Sequence, residues 1–246
     1  MRRIEVADLW DALAKRFEDF GANRTDVMFL CIVYPAIGVV LARLAAGYNM
    51  LPLLFSLASG FALVGPLAAV GLYQMSRRRE EGRHATWADA FGVVRSPSFG
   101  GIVLLGLLLI GIFALWLLAA FGIYQATLGP APPVSIGAFA HDVFLTPAGW
   151  TMIGVGVGMG FLFAVLALTI SMISFRLQLD RNIGVGRAVR TSILAVWANP
   201  IPMALWGLIV AGALIAGAIP VFIGLVIVLP VLGHATWHLY RKVISH

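Results

Sequence analysis

The stretch "FGGIVLLGLLLIGIFALWLLAAFGIY", residues 99–124, contains no charged side chain. As an α-helix it would be about 39 Å long, which is enough to cross the ~30 Å hydrocarbon core of a bilayer. The rest of the chain has a similar character. Of its 246 residues, 61% are hydrophobic and 11% are charged, and the mean hydropathy is +0.95. A soluble domain needs a larger charged fraction, so the composition predicts an integral membrane protein.

Five further apolar stretches are long enough to span a bilayer. The six predicted spans lie near 27–46, 51–75, 99–124, 149–175, 200–217 and 219–240. Only "GAIP" separates the last two, which predicts a tight hairpin, and Pro230 is expected to kink the last one. The expected fold is an all-α membrane protein of one domain (1–246), with six transmembrane helices arranged as three parallel helical hairpins.

The basic residues predict the orientation. Of the 17 Lys and Arg residues, all except Arg43 lie before span one, between spans two and three, around the end of span four, or after span six. The 126–148 loop contains neither Lys nor Arg. By the positive-inside rule, both termini are cytoplasmic. The net charge of +6 then reflects topology and contact with anionic lipid headgroups, and no nucleic-acid partner is expected.

An amphipathic segment precedes each pair of spans, at 4–20, 84–95 and 184–198. Each segment carries a tryptophan (Trp10, Trp87 and Trp197) and basic residues, a composition typical of helices at a membrane interface. In the first segment Leu9, Leu13, Phe17 and Phe20 form an apolar stripe. We expect three repeat units, 1–81, 82–180 and 181–246, each an interfacial helix followed by a hairpin. The alternative is that any loop joining two membrane helices looks amphipathic.

Histidines are the candidate metal ligands. In "GHATWHLYRK" (233–242), His234 and His238 are one helical turn apart, a spacing also used by zinc sites. His84 is the third candidate. Two imidazoles leave a tetrahedral ion two ligands short, so packing beside Trp237 at the rim of span six is the favoured interpretation. We therefore expect neither a metal nor another cofactor.

Glycines in span four indicate close helix packing. The run "GVGVGMG" (154–160) lacks the Lys-Ser/Thr of a phosphate-binding loop. Gly154/Gly158 and Gly156/Gly160 are instead small-xxx-small pairs, which let helix backbones approach each other.

The acidic residues argue against catalysis and coupled transport. All 11 Asp and Glu residues fall in loops or at span edges, whereas a proton- or sodium-coupled carrier usually keeps a carboxylate near the midplane. We see neither a Ser/His/Asp set nor a carboxylate pair placed for hydrolysis. The sequence therefore predicts no catalytic residue and no enzyme.

Three segments resemble a known family. "LVGPLAAVGLYQMSRRREEG" (63–82), "NPIPMALWG" (199–207) and "LPVLGHATWHLYRKVI" (229–244) resemble a bacterial family of predicted six-span integral membrane proteins, catalogued only as a domain of unknown function. The resemblance implies a bacterial inner-membrane location and adds no activity, substrate or catalytic residue.

Two function hypotheses follow. The first is a non-catalytic subunit, scaffold or assembly factor that binds other membrane proteins through its glycine-lined helix faces. The second is a small permease or channel for a lipid or an uncharged solute.

Overall fold

The structure is a computed structural model. It describes residues 3–22, 43, 51–53, 56–57, 63, 65–67, 69–82, 86–220 and 223–244. Within these ranges the regular secondary structure is helical, and no β-strand occurs among them.

The α-helices in the described ranges are numbered here in chain order. They are α1 (Val6–Ala22), α2 (Val70–Glu80), α3 (Trp87–Ala90), α4 (Phe99–Thr127), α5 (Ile136–Leu145), α6 (Pro147–Arg181), α7 (Val185–Ala198), α8 (Pro200–Ala218) and α9 (Leu225–Val243). Two short 3₁₀ helices cover Leu51–Leu53 and Phe91–Arg95.

Three of the described helices, α4, α6 and α8, are long and apolar enough to cross a membrane, judged by length and composition. They coincide with the third, fourth and fifth predicted spans. The α6 helix has 35 residues and is therefore about 52 Å long, well beyond the hydrocarbon thickness. It begins where the Thr146 side chain accepts a hydrogen bond from the Gly149 amide, and it ends at Asn182, which has a left-handed backbone with φ 45°. The helix therefore continues six residues beyond residue 175, the predicted end of span four.

The other predicted spans are described less completely. Span one (27–46) lies outside the described residues except for Arg43, and α2 covers only the end of span two. The α9 helix covers most of span six and contains Pro230, but it is not among the three membrane-length apolar helices. Six spans, their hairpin arrangement and the three repeat units therefore remain predictions.

The 126–148 segment, expected to be a loop, contains a helix. In α5 the Ser135 side chain caps the first turn by accepting a hydrogen bond from the Ala138 amide, 3.1 Å away. The turn from α5 into α6 is tight, because a Cβ atom on Gly149 would overlap the carbonyl oxygens of Asp142 and Val143. The helix was missed because it is only ten residues long and its apolar side chains show little periodicity.

The first two amphipathic segments also differ from expectation. In α1, Leu9 and Leu13 are buried in the protein core and the helix packs along α9, while Trp10 is exposed. The described part of the apolar stripe, Leu9 and Leu13, therefore contacts protein, because α9 offers it an apolar partner. The side chains of Phe17 and Phe20 lie outside the described part. The 84–95 segment forms the short α3 and a 3₁₀ turn rather than one continuous helix.

Candidate functional site

The last turns of α6 are enclosed on every side. Every residue from Ser171 to Leu179 is buried, and this part of the molecule packs against α2, α7 and α9. The enclosed segment includes four polar side chains: Ser171, Ser174, Arg176 and Gln178. Buried polar groups need hydrogen-bond partners, so the contacts around this segment form the candidate site.

Two side-chain contacts hold α7 against α6. The Ser192 hydroxyl donates to the Thr169 carbonyl at 2.7 Å and accepts from the Ile173 amide at 3.1 Å. Closer to the turn between the helices, the Gln178 carbonyl accepts from the Gly184 amide at 3.1 Å. These contacts satisfy buried polar atoms and fix the direction in which α7 leaves α6.

The ends of α2, α6 and α9 meet in a cluster of charged and aromatic side chains, which we call the ionic junction. Asp180 is its central acid, with a side chain only 10% exposed. It accepts hydrogen bonds from the Tyr240 hydroxyl at 2.9 Å and from Arg241 at 3.1 Å. The guanidinium groups of Arg77 and Arg181 approach it to 4.0 and 3.9 Å.

Glu80 is the second acid of the ionic junction. It accepts hydrogen bonds from the Trp237 indole at 2.8 Å and from Arg241 at 3.0 Å. The Arg241 guanidinium lies 5.1 Å from the centre of the Trp237 ring, in cation–π geometry. Arg241 therefore connects both acids, and hence three helices, at one end of the molecule.

Lys242 extends this network to the N-terminal helix. Its ammonium group lies 2.8 Å from Asp8 and 2.6 Å from Asp11, both on α1. Burial alone would lower the pKa of Lys242, but the hydrogen bonds to Asp11 and Asp8 outweigh it, so the pKa is raised above its ordinary value. The Ile4 amide also donates to the Asn199 side chain at 2.8 Å. The N-terminal helix is thus tied to the end of α9 and to the start of α8.

The two histidines of α9 lie beside this network. His234 is buried, and its Nδ1 atom is 2.6 Å from the Ser76 hydroxyl of α2. His238 is half-buried one turn further along α9. His84, the third candidate ligand, lies outside the described residues. Within the described part of the chain, no three His, Cys, Asp or Glu side chains are grouped so as to hold a metal ion. That the protein binds no metal remains a prediction.

Arg176 is the least expected member of the enclosed segment. It is 2% exposed and donates to the Tyr73 hydroxyl at 2.6 Å and to the Met172 carbonyl. Its guanidinium also lies 4.3 Å from the centre of the Tyr73 ring. The sequence analysis counted Arg176 among the basic residues that mark the end of a span. The available signal was the apolar run "SMISFRLQL" (171–179) on both sides of it.

The glycines of α6 differ in their surroundings. A Cβ atom on Gly160 would lie 3.2 Å from the Trp116 ring of α4, so this glycine allows close packing inside the chain. A Cβ atom on Gly154, Gly156 or Gly158 would meet no atom of the described residues within 4 Å, and of these three Gly154 and Gly158 are exposed. The structure thus assigns Gly160 to internal packing and leaves Gly154 and Gly158 on the outer surface.

Comparison with known proteins gives one family match. The model of a family described as "Predicted integral membrane protein (DUF2189)" matches residues 53–180, just over half of the chain. The match covers the motif at 63–82 and confirms the predicted relationship to a domain of unknown function. No curated protein and no solved structure matches the chain.

Proposed function

Because the chain belongs to the family of predicted integral membrane proteins of unknown function, DUF2189, we propose that it binds another membrane protein as a non-catalytic subunit, scaffold or assembly factor. The observation that carries this proposal is the outer face of α6, where Gly154 and Gly158 lie one turn apart and a Cβ atom on either would meet no atom of the described residues within 4 Å.

The three membrane-length helices differ in how much of their surface the chain itself covers. In the most apolar 18-residue window of each helix, 33% of the residues are buried in α4 and 28% in α8, but only 6% in α6. In its most apolar part, the longest of the three helices is therefore the least buried of the three.

The composition of this face fits a helix better than it fits lipid. Phe161 and Val165 follow Gly154 and Gly158 on the same side of α6, and both are exposed. Two glycines one turn apart form a shallow groove, and large apolar residues flank it on the next turns. Helix pairs in membranes use such small-xxx-small grooves for close van der Waals packing. The proposed occupant is a transmembrane helix of a second protein.

The proposal includes the predicted topology of six spans in a bacterial inner membrane, with both termini cytoplasmic. Its support is the contact of Lys242 with Asp8 and Asp11. Groups joined by hydrogen bonds lie on the same side of a membrane, so the two ends of the chain are expected together, after an even number of spans.

A site-specific crosslink tests the proposal. A photoreactive phenylalanine analogue at Phe161 samples the outer face of α6, and the same analogue at Phe163 samples the inner face, where Phe163 packs 5.7 Å from the Trp116 ring. Irradiation of intact cells should join the Phe161 variant to a single protein species, while the Phe163 variant should react within the chain.

Glycine substitutions provide the matched controls. Gly158→Leu should abolish the crosslink from position 161 and should not lower the melting temperature, because the added Cβ meets no atom of the described residues within 4 Å. Gly160→Leu should instead lower stability by about 1–3 kcal/mol through overpacking against Trp116. If position 161 crosslinks only to lipid, or if Gly158→Leu does not affect the crosslink, the proposal is wrong. A crosslink to a second copy of the chain would mean that this face forms a homodimer and does not bind a different protein.

The permease hypothesis is the second candidate, and one observation favours it. The Ser174 hydroxyl is fully buried in α6 and has no hydrogen-bond partner among the described residues, which leaves it available to bond a passing solute. The test is release of an uncharged solute, such as glycerol, from proteoliposomes. If Ser174→Ala slows the release of glycerol and the control Ser135→Ala does not, the result would favour a permease over a scaffold.

A further inference from the structure

Arg176 carries an uncompensated positive charge inside the protein. Among the described residues no carboxylate oxygen lies within 4.0 Å of its guanidinium. The nearest acid along α6 is Asp180, one turn further, and its Oδ2 atom accepts hydrogen bonds from Tyr240 and Arg241. A charge removed from water without a counter-ion is strongly disfavoured, and inside membrane proteins such residues usually mark functional sites.

The guanidinium also has hydrogen-bond donors to spare. It carries five N–H donors, and the described residues supply two acceptors, the Tyr73 hydroxyl and the Met172 carbonyl. The Nε atom is buried and has no hydrogen-bond partner. Tyr73 accepts from Arg176, so its own hydroxyl hydrogen is available as a further donor. The cluster thus offers positive charge and several donors, without a matching acceptor.

We propose that Arg176 and Tyr73 bind a phosphate group, carried by a lipid headgroup or present as free phosphate. A planar guanidinium donates two parallel hydrogen bonds to an oxyanion, which is the reason arginine is favoured for phosphate recognition. The Tyr73 ring stacks on the guanidinium at 4.3 Å and holds it in one orientation. The bound anion supplies the counter-charge that the described residues do not.

The burial of Arg176 determines how a phosphate enters. Because the residue is 2% exposed, an anion reaches it only when a neighbouring helix shifts. The helix that supplies Tyr73 is α2, whose far end is held to α6 and α9 through Arg77 and Glu80. Binding is therefore expected to be slow and to stabilise the packing of α2 against α6.

The test is ligand-dependent thermal stability of the full-length protein in detergent. Inorganic phosphate is titrated against sodium chloride at equal ionic strength. In a parallel experiment, mixed micelles contain phosphatidylglycerol or, as the uncharged reference, diacylglycerol. The wild type should melt at a higher temperature with phosphate or phosphatidylglycerol than with its reference. A response to phosphate identifies a small-anion site, and a response to the lipid alone identifies a headgroup site; either supports the proposal.

Three variants assign the response to the site. Arg176→Met should require at least a tenfold higher ligand concentration for the same rise in melting temperature. Tyr73→Phe keeps the ring and removes the hydroxyl, and it should require a severalfold higher ligand concentration for the same rise. This variant keeps the test decisive if Arg176→Met does not fold. Arg190→Met, at an exposed position on α7, should respond like the wild type. If neither ligand changes the melting temperature, or if both site variants respond like the wild type, the proposal is overturned and Arg176 is a packing residue only.

Discussion

Asp180→Asn tests the energetic importance of the ionic junction. The substitution preserves the size of the side chain but removes the charge at its centre. Asp180 is 10% exposed and Arg241 is 24% exposed, so the pair is mostly shielded from water. Removing one partner of a buried ion pair costs about 3–5 kcal/mol, because the other charge is left without compensation. Arg241 retains Glu80, 2.9 Å away, so we expect the lower end of this range, about 3 kcal/mol.

For a chain of this size, each kcal/mol corresponds to about 2–4 °C in melting temperature. Asp180→Asn should therefore melt about 6–12 °C below the wild type in detergent, with unfolding measured by tryptophan fluorescence. Asp142→Asn is the matched control, because its side chain is 56% exposed and forms an ion pair with the exposed His141, at 3.5 Å. An exposed pair of this kind contributes at most ~1 kcal/mol. Equal melting temperatures for the two variants would refute the conclusion that the junction holds α2, α6 and α9 together.

Three further outcomes are expected. Because the pKa of Lys242 is raised, its contribution to stability is complete below the unfolded-state pKa of about 10.4 and is lost as the pH rises through the higher folded-state value. The difference in stability between the wild type and Lys242→Met should thus be constant near neutral pH and should disappear at alkaline pH. Gly149→Ala should lower the melting temperature, because its Cβ would overlap backbone carbonyls, whereas Gly154→Ala should leave it unchanged; similar melting temperatures would contradict the tight turn. Elemental analysis and an optical spectrum of the purified protein should reveal neither a stoichiometric metal nor a haem band, and a signal lost in the His234→Ala, His238→Ala double variant would reject the packing role.

The sequence by itself determined the membrane character and the approximate position of the long apolar helices. The reason is local, since a segment of about 20 apolar residues is stable in hydrocarbon only as a helix, whatever surrounds it. Residues 99–124 and 200–217 correspond to α4 and α8 with small boundary changes. The sequence also identified His234 and His238 as side chains near the end of the last helix, because their positions follow from counting along one segment.

Only the tertiary structure decided which faces and which charges pair, because those contacts join residues far apart in the chain. The environment of Arg176 depends on Tyr73, 103 positions away. Lys242 meets Asp8 across 234 positions. Spacing alone treated Gly154/Gly158 and Gly156/Gly160 as equivalent pairs, and the position of Trp116 on α4 singles out Gly160 as the glycine in close internal contact. Likewise, the apolar stripe of α1 is equally suited to lipid and to protein, and the packing of α9 beside it decides in favour of protein.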